Sequence, residues 1–145
     1  MNLLYRLLAT KKDITLTIIR VTLGIVILPH GAQKLLGSFG GYGFDGTMGF
    51  MTGQLGIPSI FAFLAIIAES FGALGLILGL FTRVAALGIF ATMLVAALLV
   101  HLPGGFFAPN GIEYFILTFG LAIPVILKGA GSFSLDDLIS SKLEK

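Results

Sequence analysis

Residues 58–80 read PSIFAFLAIIAESFGALGLILGL, an unbroken apolar run whose one ionisable side chain, Glu69, sits at its midpoint. A helix needs about 20 residues, at about 1.5 Å each, to cross the hydrocarbon core of a bilayer. The run lacks the alternation of a barrel strand, and a backbone in lipid must bond within its own segment, so it reads as a spanning helix. Three similar runs flank it, at about 14–36, 84–100 and 112–127. The expected fold class is therefore all-α: an integral membrane four-helix bundle forming one domain over residues 1–145.

Composition leads to the same class. Of 145 residues, 57% are hydrophobic and only 11% charged. So few charges cannot clothe a soluble domain of this size, and the long apolar runs exclude disorder. The absence of cysteine removes disulfides, thiolate metal sites and ordinary iron–sulfur ligation. With no tryptophan, interfacial anchoring falls to 13 Phe and 3 Tyr. A net charge of +2 without a basic cluster gives no reason to expect a nucleic-acid partner.

Charge placement sets an expected orientation. Arg6, Lys11 and Lys12 precede the first run, Arg83 lies in the turn after the second, and Lys128, Lys142 and Lys145 follow the fourth. The positive-inside rule then places both termini and the Arg83 turn in the cytoplasm, in the cytoplasmic membrane of a bacterium or archaeon. The first run is too long for a signal peptide and lacks a cleavage pattern, so it reads as a retained helix.

The connections differ in character. Residues 79–83 form a tight turn. Residues 37–57 contain eight glycines interleaved with Phe39, Tyr42, Phe44, Phe50 and Met51, which predicts an extracytoplasmic cap with a short helix N-capped by Asp45. Residues 134–143 have Ser134 three before Asp137, the spacing of a capping box, followed by an apolar face of Leu135, Leu138, Ile139 and Leu143. They predict a surface helix, and Leu3, Leu4, Leu7 and Leu8 predict a similar one. Gly72, Gly75 and Gly79, with Ala85, Gly88, Ala91 and Ala96, are the small residues expected where helices approach closely.

The informative residues are polar ones within the runs: Arg20, His30, Gln33, Lys34, Glu69, Ser70, His101 and Glu113. A charge at the bilayer centre costs at least about 2.5–3.5 kcal/mol, so such groups face one another or a wet cavity. Arg20 has two readings, an ion pair with Glu69 or a side chain reaching back to the cytoplasmic surface. His30 and Lys34, one helical turn apart, share a leaflet with His101 and Glu113, and Glu69 lies below them. Three readings of this set stand. In one, Lys34 pairs with Glu113 and the cluster only holds the helices together. In another, the His and Glu side chains hold a metal or haem, although no ligand spacing supports that. In the third, the groups line a pocket for a small polar or quinone-like ligand, with Lys34 and histidine donating to its oxygens and Glu69 or Glu113 moving protons.

The ordered motifs resemble the DoxX family of small membrane proteins. The resemblance rests on Arg20-Val-Thr-Leu-Gly24, His30-Gly31-Ala-Gln-Lys34, Glu69-Ser-Phe-Gly-Ala-Leu-Gly75, Gly79-Leu-Phe-Thr-Arg83, His101, Glu113 and Gly131-Ser-Phe-Ser-Leu-Asp136. It implies a four-helix membrane oxidoreductase, or the membrane subunit of one, linked to quinone. Carried over by position, Lys34, Glu69, Arg83, His101 and Glu113 are the implied functional residues. The expected site therefore has Glu69, Glu113 and Lys34 as catalytic groups and His30, Lys34, His101 and Arg20 as ligand-binding groups. Quinone is the expected cofactor, without metal, haem or flavin. The expected partners are the lipid bilayer, a soluble redox protein and a second copy in a homodimer. A non-catalytic scaffold for a soluble redox enzyme, or a small-molecule carrier, would use the same bundle differently.

Overall fold

The computed structural model describes residues 3–143; Lys145, one of the charges behind the expected orientation, lies outside them. Every regular element among the described residues is helical. Besides a 3-10 turn at Ser38–Gly40 and a π turn at Phe50–Gln54, the helices are, in order, α1 (Leu3–Leu8), α2 (Ile14–Leu36), α3 (Gly43–Gly49), α4 (Ser59–Leu78), α5 (Thr82–Gly104), α6 (Glu113–Lys128) and α7 (Leu135–Leu143). Of these, α2, α4 and α5 are long and apolar enough to cross a membrane. At 16 residues, α6 spans about 24 Å and is shorter than a full crossing requires.

The four long helices pack in sequence around a ring: α2 on α4, α4 on α5, α5 on α6, and α6 back on α2. Leu23 and Ile27 of α2, Leu76 of α4, Ile89 of α5 and Val125 of α6 meet at the centre, each nearly or fully buried. The outer faces are apolar as well, with Ile18, Ile25, Phe61, Leu64, Leu87, Leu98 and Leu117 all at least half exposed. Apolar surface on that scale suits lipid rather than water.

Helix ends follow local chemistry. Asp13 caps α2, its carboxylate accepting from the Thr15 amide at 2.8 Å. Gly37 and Gly79, at φ 72° and 73°, close α2 and α4 in the left-handed conformation that suits glycine. α5 begins two residues earlier than its hydropathy suggests because Asp136, far along the chain, caps it. The Asp136 carboxylate accepts from the amides of Phe81 and Thr82 and from the Thr82 hydroxyl, at 2.6–2.9 Å. The Ser134 cap of α7 forms as its spacing predicts, with Ser134 Oγ accepting from the Asp137 amide at 3.1 Å.

The cap over residues 37–57 differs in detail from its sequence reading. It is mostly helical: α3 runs into a wide π turn at Phe50–Gln54 and packs against α2 and α4. Asp45 lies in the first turn of α3, and Tyr42 holds the capping position without a side-chain bond. The glycine contacts also divide differently. Gly72 against Ala85, and Gly88 against Ala68, let α4 and α5 approach as expected, whereas the tightest contacts belong to Gly24 and Gly31 of α2.

Of the two readings of Arg20, the ion pair with Glu69 is not made, and the side chain does not emerge at the surface either. Arg20 is 1% exposed, and its guanidinium lies across the end of α4. It donates to the carbonyls of Leu76 and Ile77, two of the orphan acceptors at the helix end, and to those of Ala130, Ser132 and Phe133 in the following loop. Arg83 likewise donates to Ile126 and Leu127 at the end of α6, and to Ala9. Both cations sit at negative helix ends, and the Asp136 anion sits at a positive one, so this basic end of the molecule follows the helix dipoles.

Candidate functional site

Away from that end, at the middle of α4, α2 and α4 meet backbone to backbone. A Cβ on Gly31 would fall 2.3 Å from the carbonyl oxygen of Glu69 and 2.6 Å from the Ser70 Cα. The Ser70 hydroxyl donates to the Gly31 carbonyl at 3.2 Å. Here α4 widens into a π turn, Ala68–Gly72, that contains Glu69. Inserting such a turn shifts the direction of the side chains that follow and is frequent at functional sites. Glu69 lies midway along α4 and is 1% exposed.

The partner of Glu69 is Lys34, one turn beyond His30 on α2. Lys34 Nζ donates to Glu69 Oε2 at 2.5 Å, with the lysine side chain about a quarter exposed. A long side chain near the helix end thus reaches a carboxylate at mid-span. Neither Arg20 nor Glu113 takes part in this pair. Gly31→Ala is expected to force the two helices apart, since the obstructing atoms are backbone. Overpacking of this kind costs about 1–3 kcal/mol. Thermal unfolding of the purified variant checks the loss, and a midpoint within a degree of the parent would contradict the contact.

Beside the pair runs an open cleft of about 1630 Å³, walled by α2, α4, α5 and α6; it reaches from Phe50 and Met51 of the cap down to Leu80 and Phe81, and part of its wall is outer-face surface such as Phe61, Leu64 and Leu117. Its lining is overwhelmingly apolar. His30, Lys34, Glu69 and His101 are its titratable members apart from Tyr114. His30 is exposed, and His101 sits in a third π turn, Ala97–His101. The His101 Nδ1 lies 3.2 Å from the Ala96 carbonyl, and the ring packs on Phe115 with centroids 4.6 Å apart.

The structure therefore brings four of the sequence-predicted residues to one cleft and leaves the others elsewhere. Glu113 accepts from the Ala108 amide at 2.8 Å and ties down the outer loop. Arg20 and Arg83 bind helix-end carbonyls at the basic end. Gln33 donates to the Phe39 carbonyl at 3.4 Å and helps seat the cap. The Lys34–Glu113 pairing of the structural reading gives way to Lys34–Glu69, because Lys34 points down α2 and Glu113 turns to its own loop. Among the described residues, no three His, Asp or Glu side chains converge as a metal site would require.

The DoxX family profile matches residues 15–102, a stretch that holds α2, α4, nearly all of α5 and the whole Lys34–Glu69 pair. The chain belongs to the DoxX family. It is 28% identical over 127 residues to "Putative oxidoreductase CatD" of Bacillus subtilis, covering 88% of each chain. It is 30% identical over 133 residues to "Inner membrane protein YphA" of Escherichia coli, covering 86% of this chain and 90% of that one. No solved structure matches it. With three crossing-length apolar helices, this DoxX protein is a membrane protein.

Three features escaped the sequence reading. The π turn at Glu69 carries no residue signal. Asp136 acts on α5 from a separate segment. Gly24 and Gly31 do carry a usable signal, two glycines seven apart on one helix face.

Proposed function

We propose that this DoxX protein is a quinone-linked membrane oxidoreductase, or the membrane subunit of one, with its ligand site at the Lys34–Glu69 pair. The observation that carries this reading is a buried carboxylate and its lysine partner set in the wall of an apolar cleft that two histidines also line. A quinone has the matching chemistry: polar carbonyl oxygens on an apolar body. Lys34 has three donors and Glu69 takes one, so two remain for a carbonyl oxygen. In this reading Glu69 holds and releases a proton, and His30 and His101 orient the headgroup. Electrons would come from a soluble partner protein. In this reading α6 completes a four-helix bundle, both termini face the cytoplasm, the cap faces outward, and two copies associate.

The test uses purified protein in lipid nanodiscs with a water-soluble short-chain quinone. Saturable binding is expected in the parent. Lys34→Ala is expected to weaken it about tenfold to a hundredfold, the worth of a charge-assisted hydrogen bond of about 1.5–3 kcal/mol. Absence of saturable binding, or unchanged affinity in both Lys34→Ala and Glu69→Gln, would overturn the assignment.

A further inference from the structure

The basic end carries a second feature that the quinone reading does not use. A notch of about 350 Å³ is lined by Lys11, Arg83 and Lys128 together with Ala9, Thr10 and Leu127. The two lysines come from distant parts of the chain and are held side by side, the Lys11 amide lying 3.4 Å from the Lys128 carbonyl. Both are exposed. Among the described residues the ion pairs are Lys12–Asp137 and Lys34–Glu69, so neither Lys11 nor Lys128 has a carboxylate partner; Asp136, held at the head of α5, lies near enough to offset part of the Arg83 charge only.

Arg83 differs from Arg20 in an informative way. Every guanidinium nitrogen of Arg20 donates to a carbonyl, whereas Arg83 Nε is buried and has no partner. The carbonyls at the end of α6 offset only about half a charge. A net positive field therefore remains in a concave site. Lysine ammonium groups bind phosphate as point charges. Leu127, which lines the notch, is 69% exposed, so the site opens beside apolar surface at the end of a helix. That is where a lipid places its phosphate above its acyl chains.

We propose that this notch binds a phosphate group, presented as the phosphodiester of an anionic lipid headgroup or as free phosphate. Bound there, the phosphate bridges the segment before α2 to the end of α6. The site shares no lining residue with the Lys34–Glu69 cleft.

The test titrates the full chain in neutral detergent with short-chain phosphatidylglycerol, against phosphatidylcholine. A second arm uses sodium phosphate against sodium chloride at equal ionic strength, and both arms read the thermal unfolding midpoint. A saturable rise is expected. It should require at least about tenfold more probe in Lys11→Ala/Lys128→Ala. The Lys12→Ala/Lys142→Ala pair, which removes the same charge from other surface positions, should keep the parent's half-saturation. A rise with phosphatidylglycerol alone identifies the lipid as the source, and a rise with phosphate as well identifies the free anion. If the alanine pair does not fold, the Lys11→Gln/Lys128→Gln pair takes its place with the same readout. The proposal is overturned if neither probe gives a saturable rise, or if the notch pair shifts it no more than the other pair does.

Discussion

Arg20→Ala is expected to remove most of the folded population of this protein. Four backbone carbonyls, those of Leu76, Ile77, Ala130 and Phe133, each lose a charged donor now at 2.6–2.7 Å. An acceptor buried without a partner costs about 1–3 kcal/mol. The terms do not add in full, because the loop can relax, but a loss of at least about 3 kcal/mol is expected against a total stability of about 5–15. The space left by a large side chain adds to that. Arg20→Lys should recover only part, since one ammonium with three donors cannot reach both the end of α4 and residues 130–133 as the planar fork does. The measurement is the folded fraction after detergent extraction, with the unfolding midpoint of whatever remains. An Arg20→Ala protein that extracts and melts like the parent would show that the carbonyl cage is incidental.

The contrast between Arg20 and Lys34 shows what was legible in the sequence. Hydropathy found the long helices to within a few residues because lipid imposes length and apolarity on every span. It also marked Arg20, Lys34 and Glu69 as residues needing partners, because burying a charge is costly whatever the fold. Which partner each takes is a three-dimensional matter. Arg20 and Glu69 looked close enough in depth to pair. Depth along a helix axis, however, says nothing of rotation about it. The close approach at Gly31 and the π turn at Ala68–Gly72 together set where Glu69 faces. Arg20 meanwhile found carbonyls instead of a carboxylate, and main-chain acceptors leave no mark in a residue pattern. Glu113 shows the same limit. Its position at the head of α6 suggested a site residue, yet its carboxylate bonds the Ala108 amide five residues back.

The Lys34–Glu69 pair should behave as a coupled unit in a double-mutant cycle. Removing one member of a buried ion pair costs about 3–5 kcal/mol, because the other charge is stranded. Glu69 is almost wholly buried, whereas Lys34 keeps about a quarter of its side chain exposed. The asymmetry predicts unequal losses. Lys34→Met strands a carboxylate at mid-span and should cost the upper part of that range. Glu69→Gln leaves an ammonium that can turn toward the cleft mouth and should cost about half as much. The double variant should lose less than the sum of the singles, by about 1–3 kcal/mol, since it strands no charge. Unfolding in mixed detergent micelles measures all four corners of the cycle. Strict additivity would mean that the two groups do not interact in the folded protein, and the site would lose its centre. Lys34→Arg sharpens the result. It keeps the positive charge and should restore much of the stability lost in Lys34→Met. Its rigid fork, however, cannot hold Glu69 and present free donors to a ligand oxygen as a compact ammonium does. Stability regained without quinone binding would separate the pair's structural role from its proposed chemical one.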